Sequence, residues 1–262
     1  MESRNPVFSR GRQNTAGSWG APGPTPSQLQ NMYDAPSYAP PTAPAYRTMT
    51  IDDVVVRSFM TLGTLVVAGA AAWYLNVGLG IAIGAALIGL VLGLIASFKQ
   101  STNPALILGY ALFYGVFVGA LSHYYESAFN GIVVQAVLGT ALAFAAMLTV
   151  YSLRIIRVTS KFVRYVVGAA IGMIGLALVN WIVGFFVTGG LGLREAGPLG
   201  YVFSIAMILI GCFFLLLDFS AVEEGIKAGA PEKFAWQCAF GLTLTLVWIY
   251  LEVLRFLSYF RD

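Results

Sequence analysis

The chain has 262 residues, of which 58% are hydrophobic and only 10% charged, with a formal net charge of +3. Ordinary soluble domains carry roughly 25% charged residues, so this composition excludes a soluble globular protein and indicates an integral membrane protein. A net charge this small names no nucleic-acid partner; its meaning lies in how it is distributed along the chain.

Residues 1–50 differ from the rest. Eight of the eleven prolines fall here (Pro6, Pro22, Pro24, Pro26, Pro36, Pro40, Pro41 and Pro44), interleaved with Gly, Ser, Gln and Tyr. Such a stretch buries too little apolar surface to offset the entropy of ordering, which predicts a disordered cytoplasmic tail followed by a membrane domain over 51–262. The tyrosines Tyr33, Tyr38 and Tyr46, set among prolines, offer a docking segment for a membrane-protein partner. The first apolar run begins near Val54, after this polar tail, and is long enough to remain as a span, so no signal peptide is expected.

From there, apolar runs near the roughly 20 residues needed to cross hydrocarbon recur between short polar breaks. They predict spans at 55–75, 79–98, 104–125, 132–153, 162–187, 199–221 and 236–258. Asn76 and Gly78 make the first turn, and Asn103-Pro104 supplies an N-cap with proline at the first helical position. Gly189-Gly190 and Gly197-Pro198 bracket the fifth connection, and Gly229-Ala230-Pro231 restarts the chain before the last helix. Asp52-Asp53 ahead of the first span reads as a partner for the helix dipole, and Glu223-Glu224 as a solvated helix end.

With the N-terminus in the cytoplasm, Arg47, Arg57, Lys99, Arg154, Arg157, Lys161, Arg164, Lys227 and Lys233 all lie on that side. Arg194, Arg255 and Arg261 remain opposite. Because positive charge is retained on the cytoplasmic side, a cytoplasmic membrane protein with N-terminus in and C-terminus out is expected. The cluster from Arg154 to Arg164 sets topology, and it could also meet anionic lipid headgroups. Glycine pairs four apart (Gly80/Gly84, Gly89/Gly93, Gly115/Gly119, Gly168/Gly172) predict close helix packing.

Enzyme chemistry is nearly absent. The single histidine, His123, sits in the Ser122-His123-Tyr124-Tyr125 stretch at the end of the third span and reads as a solvated turn residue; one histidine excludes a multi-histidine zinc site. Neither a Gly-x-Ser-x-Gly elbow nor a Walker phosphate loop occurs, and Cys212 and Cys238 read as small buried apolar side chains. No enzymatic activity and no cofactor are expected.

What stands out is acid inside apolar sequence. Glu252 lies within Phe240 to Phe260 and Asp218 within the preceding span; a mid-membrane Asp costs about 2.5 to 3.5 kcal/mol on insertion scales, so such groups face a partner, a cavity or an ion path. Thr245, Trp248, Glu252, Arg255 and Tyr259 recur at spacings of three and four, a polar stripe that should turn toward the other helices. Glu252 and Arg255 could also simply neutralise each other. Asn180, in the fifth span, reads as an interhelical hydrogen-bonding residue or as part of the path.

The seven-span pattern, Leu217-Asp218-Phe219 in the sixth span, Gly229-Ala230-Pro231, and Trp248-Ile249-Tyr250-Leu251-Glu252-Val253-Leu254-Arg255-Phe256-Leu257 in the seventh resemble the Bax inhibitor family, in its bacterial branch with a proline-rich N-terminal tail. The resemblance covers roughly residues 50–262. It implies an all-α bundle of seven membrane helices with the last at its centre, and a pH-sensitive calcium leak in which acids of the last two helices form a proton-linked pair. Asp218 and Glu252 match those acids, and would also be the calcium ligands; Arg255, Thr245 and Asn180 would support them. Two carboxylates brought close in a low-dielectric site titrate as a unit and could alternately latch two helices or admit a divalent cation. Their 34-residue separation around Gly229–Pro231 nevertheless sets them roughly 15 Å apart in depth on straight helices. The alternative function is a non-conducting scaffold or stress regulator that binds other membrane proteins, such as a quality-control protease, through the tail; a proton-coupled transporter is a third.

Overall fold

A computed structural model describes residues 25–27, 30, 47–187 and 189–261. The expected disorder of the tail, and its tyrosines, lie outside the described residues. Residues 46–262 form one compact unit. Among its described residues are seven helices long and apolar enough to cross a membrane, and these account for the whole architecture. They are α1 (Ile51–Tyr74), α2 (Leu79–Phe98), α3 (Pro104–Ala128), α4 (Ile132–Ser152), α5 (Ser160–Val183), α6 (Pro198–Lys227) and α7 (Phe234–Ser258). The expected spans are all present. The largest shifts are at α6, which runs six residues past its expected end, at α5, which stops four residues early, and at α1, which starts four residues early.

Local chemistry fixes several ends. Thr50 and Asp53 form a capping box at α1: the Asp53 amide donates to Thr50 Oγ1 and the Thr50 amide donates to Asp53 at 2.9 Å. Asp53 thus satisfies an orphan amide as well as complementing the dipole. At α3, Asn103 Oδ1 accepts from the Ala105 amide at 3.0 Å, and Pro104 lacks the amide that would otherwise need a partner.

α7 is the hub. It packs against α1, α3, α4 and α6, whereas α2 lies on α3 and α5 lies on α6. Its buried residues, among them Ala235, Phe240, Thr243, Val247, Ile249, Glu252 and Leu254, fall on every side of the helix, the pattern of a core helix. Thr243, fully buried, shares a hydrogen bond with Thr61 of α1 at 2.9 Å, and Tyr250 shares one with Ser122 of α3 at 2.6 Å. Both satisfy hydroxyls that would otherwise be unpaired away from water.

The glycine pairs divide into two groups. Gly115 and Gly119 of α3 press against the backbone of Leu65 and Gly69 of α1, so closely that a Cβ on Gly119 would fall among the Gly69 backbone atoms. Gly89 and Gly93 of α2 receive Tyr114 and Tyr110 at 3.2 Å. Gly80, Gly84, Gly168 and Gly172, by contrast, face open space, because α2 and α5 are peripheral and turn these glycines away from the bundle.

At the end of the bundle where α1 begins, the chain entering α1 is clipped to the α6–α7 loop. The Met49 amide donates to Ala230 O at 2.8 Å and the Glu232 amide to Arg47 O at 2.9 Å, across an isolated bridge between Thr48 and Pro231. Met49 is 2% exposed and its methyl lies beside Gly225 and Phe234. Glu232 also pairs with Arg57 of α1, whose guanidinium lies 5.6 Å from the Trp236 ring centre. These contacts fix the loop that joins the two acid-bearing helices.

Candidate functional site

The seam between α6 and α7 holds both intramembrane acids. The helices run antiparallel around the 228–233 loop, and Gly211 allows close approach: a Cβ there would meet Ile249 at 2.7 Å. A second glycine, Gly241, makes room for Asp218, whose Oδ1 would lie 3.1 Å from a Cβ on it. Asp218 Oδ2 accepts from the Thr245 hydroxyl at 2.7 Å. Among the described residues no Lys or Arg pairs with Asp218. The titratable group beside it is Cys238 of α7, a buried free thiol.

Glu252 is held differently. It is 5% exposed; Arg255 donates to its Oε1 at 2.9 Å, and the Arg194 guanidinium stands 4.0 Å from the same oxygen. Arg194 comes from the α5–α6 loop. Burial first, then the nearby Arg255 charge, pulls the Arg194 guanidinium below its ordinary value, while Glu252 pushes the other way. The carboxylate is therefore the centre that keeps two arginines together.

The loop that delivers Arg194 is built for this. Asn180 Oδ1 accepts from the amides of Leu191 at 2.8 Å and Leu193 at 3.4 Å. Gly190, at φ +63°, sits so close that a Cβ would meet Asn180 O at 2.7 Å. The expected interhelical role of Asn180 is thus corrected: α5 ends at Val183, so Asn180 lies in its last turn and ties the following loop rather than another helix. His123 also departs from expectation. It is part of α3 and half-buried, its ring edge-on to Trp73 at 5.2 Å, because α3 continues to Ala128.

The expected direct contact between the two acids is not made. Asp218 is level with Gly241 and Thr245, and Glu252 lies seven residues further along α7, about 10 Å in rise. The polar stripe is nonetheless real: Thr245 meets Asp218, Trp248 lies 5.7 Å from the Phe214 ring of α6, and Glu252 and Arg255 pair. Six buried side-chain polar atoms lack a hydrogen-bond partner among the described residues, and four of them belong to this seam. They are Ser204 Oγ, Trp248 Nε1, Glu252 Oε2 and Tyr259 Oη, of which the Ser204 and Tyr259 hydroxyls lie within reach of each other. Buried polar atoms are normally paired, so Trp248 Nε1 and Glu252 Oε2 retain hydrogen-bonding capacity to spare.

No group of three or more His, Cys, Asp or Glu side chains among the described residues converges to hold a metal. Calcium takes six to eight oxygens, and Asp218 and Glu252 as placed do not share a coordination sphere.

The sequence alone places Arg194 only among the few outer-side cations and assigns Gly241 no role. The signal for the first was a lone arginine in a glycine-rich loop between apolar helices; for the second, a glycine facing a carboxylate on the neighbouring helix. No curated protein matches the chain. The model of the family described as Bax inhibitor 1 like matches residues 5–262, and, with seven membrane-length helices gathered around the last of them, the chain belongs to that family.

Proposed function

We propose that the protein is a non-enzymatic, proton-regulated cation leak pathway, with calcium as its cargo, running along the α6–α7 seam of a cytoplasmic membrane. The distribution of Lys and Arg favours the loop end of α6–α7 facing the cytoplasm and Arg194 facing outside. The observation that carries the reading is the contrast between the two acids on one helix–helix seam. Glu252 is compensated by two arginines, whereas Asp218 has one hydroxyl and no basic partner. Asp218 is therefore the group whose charge pH can change, and Arg194 with Glu252 is the closure at the outer end. With Asp218 ionised the seam attracts a cation; with it protonated the attraction is lost.

The test is calcium flux into liposomes loaded with an indicator dye, across mildly acidic to alkaline buffers. Wild type is expected to pass calcium in a pH-dependent way, and Asp218→Asn to flatten that dependence. Wild-type liposomes impermeable to calcium at every pH would sink the proposal.

The scaffold reading has one observation in its favour: residues 47–49, where the tail enters the bundle, are clipped to the α6–α7 loop. Deleting residues 1–45 leaves that clip intact, so a leak pathway retains its flux and its pH profile. A tail-dependent adaptor loses its partners instead, which co-purification from membranes would reveal.

A further inference from the structure

A separate polar cavity lies at the end of the bundle where α1 begins. Its volume is about 660 Å³, and it is lined by the α2–α3 turn and the start of α7, including Lys99, Ser101, Thr102, Asn103, Lys233 and Trp236. We propose that this cavity binds a phosphate group, presented by the headgroup of an anionic lipid at the membrane surface.

Charge is the first argument. The cavity is lined by two lysines from positions 134 apart in sequence, and no carboxylate lines it. Neither Lys99 nor Lys233 forms an ion pair among the described residues. The carboxylate that could have neutralised Lys233, Glu232 next to it in sequence, is already taken by Arg57 and Arg47. Both lysines thus line the cavity with the nearest counter-charge engaged elsewhere, and a bound anion would supply the missing one.

Position adds to this. Lys233 occupies the N-cap of α7 with no side-chain cap bond, where the positive end of the helix dipole disfavours a cation. A bound anion offsets that placement as well. The hydroxyls of Ser101 and Thr102 supply donors with the reach and type that phosphate oxygens use, while two ammonium groups give charge-assisted hydrogen bonds. The start of α3 is not the source of affinity, since its first residue is Pro104 and its next amide is capped by Asn103.

The lipid origin follows from depth. Lys99 ends a span and Lys233 precedes one, so both lie at the boundary where headgroups sit. Trp236, one face of which meets Arg57, is the kind of amphipathic ring that marks this level. The contacts would join the α2–α3 turn to the first turn of α7, the hub helix, so occupancy would stiffen that end of the bundle.

The experiment uses the full chain in neutral detergent. Thermal stability and bound-lipid count by native mass spectrometry are followed while titrating short-chain phosphatidylglycerol, the matching phosphatidylcholine, and inorganic phosphate. Phosphatidylglycerol is expected to bind saturably and to stabilise, and phosphatidylcholine to bind more weakly. Lys99→Gln/Lys233→Gln should weaken phosphatidylglycerol by on the order of tenfold, the scale of losing charge-assisted hydrogen bonds. Both lysines are exposed, so the variant should fold. Lys227→Gln/Arg261→Gln, which removes the same charge at exposed positions outside the cavity, serves as the control and should bind as wild type does. If inorganic phosphate competes fully with the lipid at matched affinity, the phosphate site stands and its ligand is the free anion. Equal affinity for the two lipids, or equal losses in both double variants, overturns the proposal.

Discussion

Gly119→Val is expected to prevent the bundle from assembling. α1 and α3 cross through Gly69, Gly115 and Gly119, and a Cβ on Gly119 would fall among the backbone atoms of Gly69. Overpacking a core typically costs about 1–3 kcal/mol when side chains can yield. Here the obstacle is backbone, so α1 and α3 must separate along their length, and α1 would carry with it the Thr61 bond to Thr243 on the hub helix. The cost should therefore exceed that range and approach the whole stability of a domain, about 5–15 kcal/mol. The matched control is Gly168→Val, at a glycine of the same spacing motif with nothing within 4 Å. It should melt at or above wild type, since glycine inside a helix is itself unfavourable by roughly 0.5–1 kcal/mol relative to alanine. Thermal unfolding in detergent, read by size-exclusion profile and tryptophan fluorescence, separates the two. A Gly119→Val protein that elutes and melts like wild type would refute the crossing.

That comparison also shows which parts of the fold can be read from the sequence. The helices were legible because each is a long apolar run punctuated by residues with a local physical role, such as the Thr50–Asp53 box and Asn103-Pro104. Whether Gly115 or Gly168 faces a neighbour was not legible. Both lie in equally apolar helices, and only the assembled bundle decides which side is turned inward. The same holds for the acids. Their positions in apolar sequence were plain, as was the stripe from Thr245 to Tyr259. The partner of each was set by features without a sequence period: α6 running on to Lys227, which levels Asp218 with Thr245, and a loop folded back on Asn180, which carries Arg194 to Glu252. The depth difference of the two acids is the informative quantity in the sequence, because it points away from a direct pair.

The outer cluster makes the remaining large prediction, in which stability and flux should part company. Glu252→Gln removes the one negative charge between Arg194 and Arg255, leaving two cations facing each other over a buried amide. Breaking a buried pair by removing one member costs about 3–5 kcal/mol, so this variant should be strongly destabilised. Arg194→Gln is different in kind. Its side chain is 39% exposed and 4.0 Å from the carboxylate, while Arg255, 23% exposed, retains the 2.9 Å bond that keeps Glu252 compensated. Its loss should therefore lower stability by no more than the 0–1 kcal/mol typical of an exposed pair. If Arg194 closes the outer end, however, the loop carrying it is freed and calcium flux should rise while the unfolding temperature hardly moves. The double variant should be less destabilised than the sum of the singles, because removing Arg194 relieves the repulsion that Glu252→Gln creates, and a thermodynamic cycle measures that coupling directly. The opposite pattern, Arg194→Gln as destabilising as Glu252→Gln with unchanged flux, would make the cluster a structural tie and leave the seam without its outer closure.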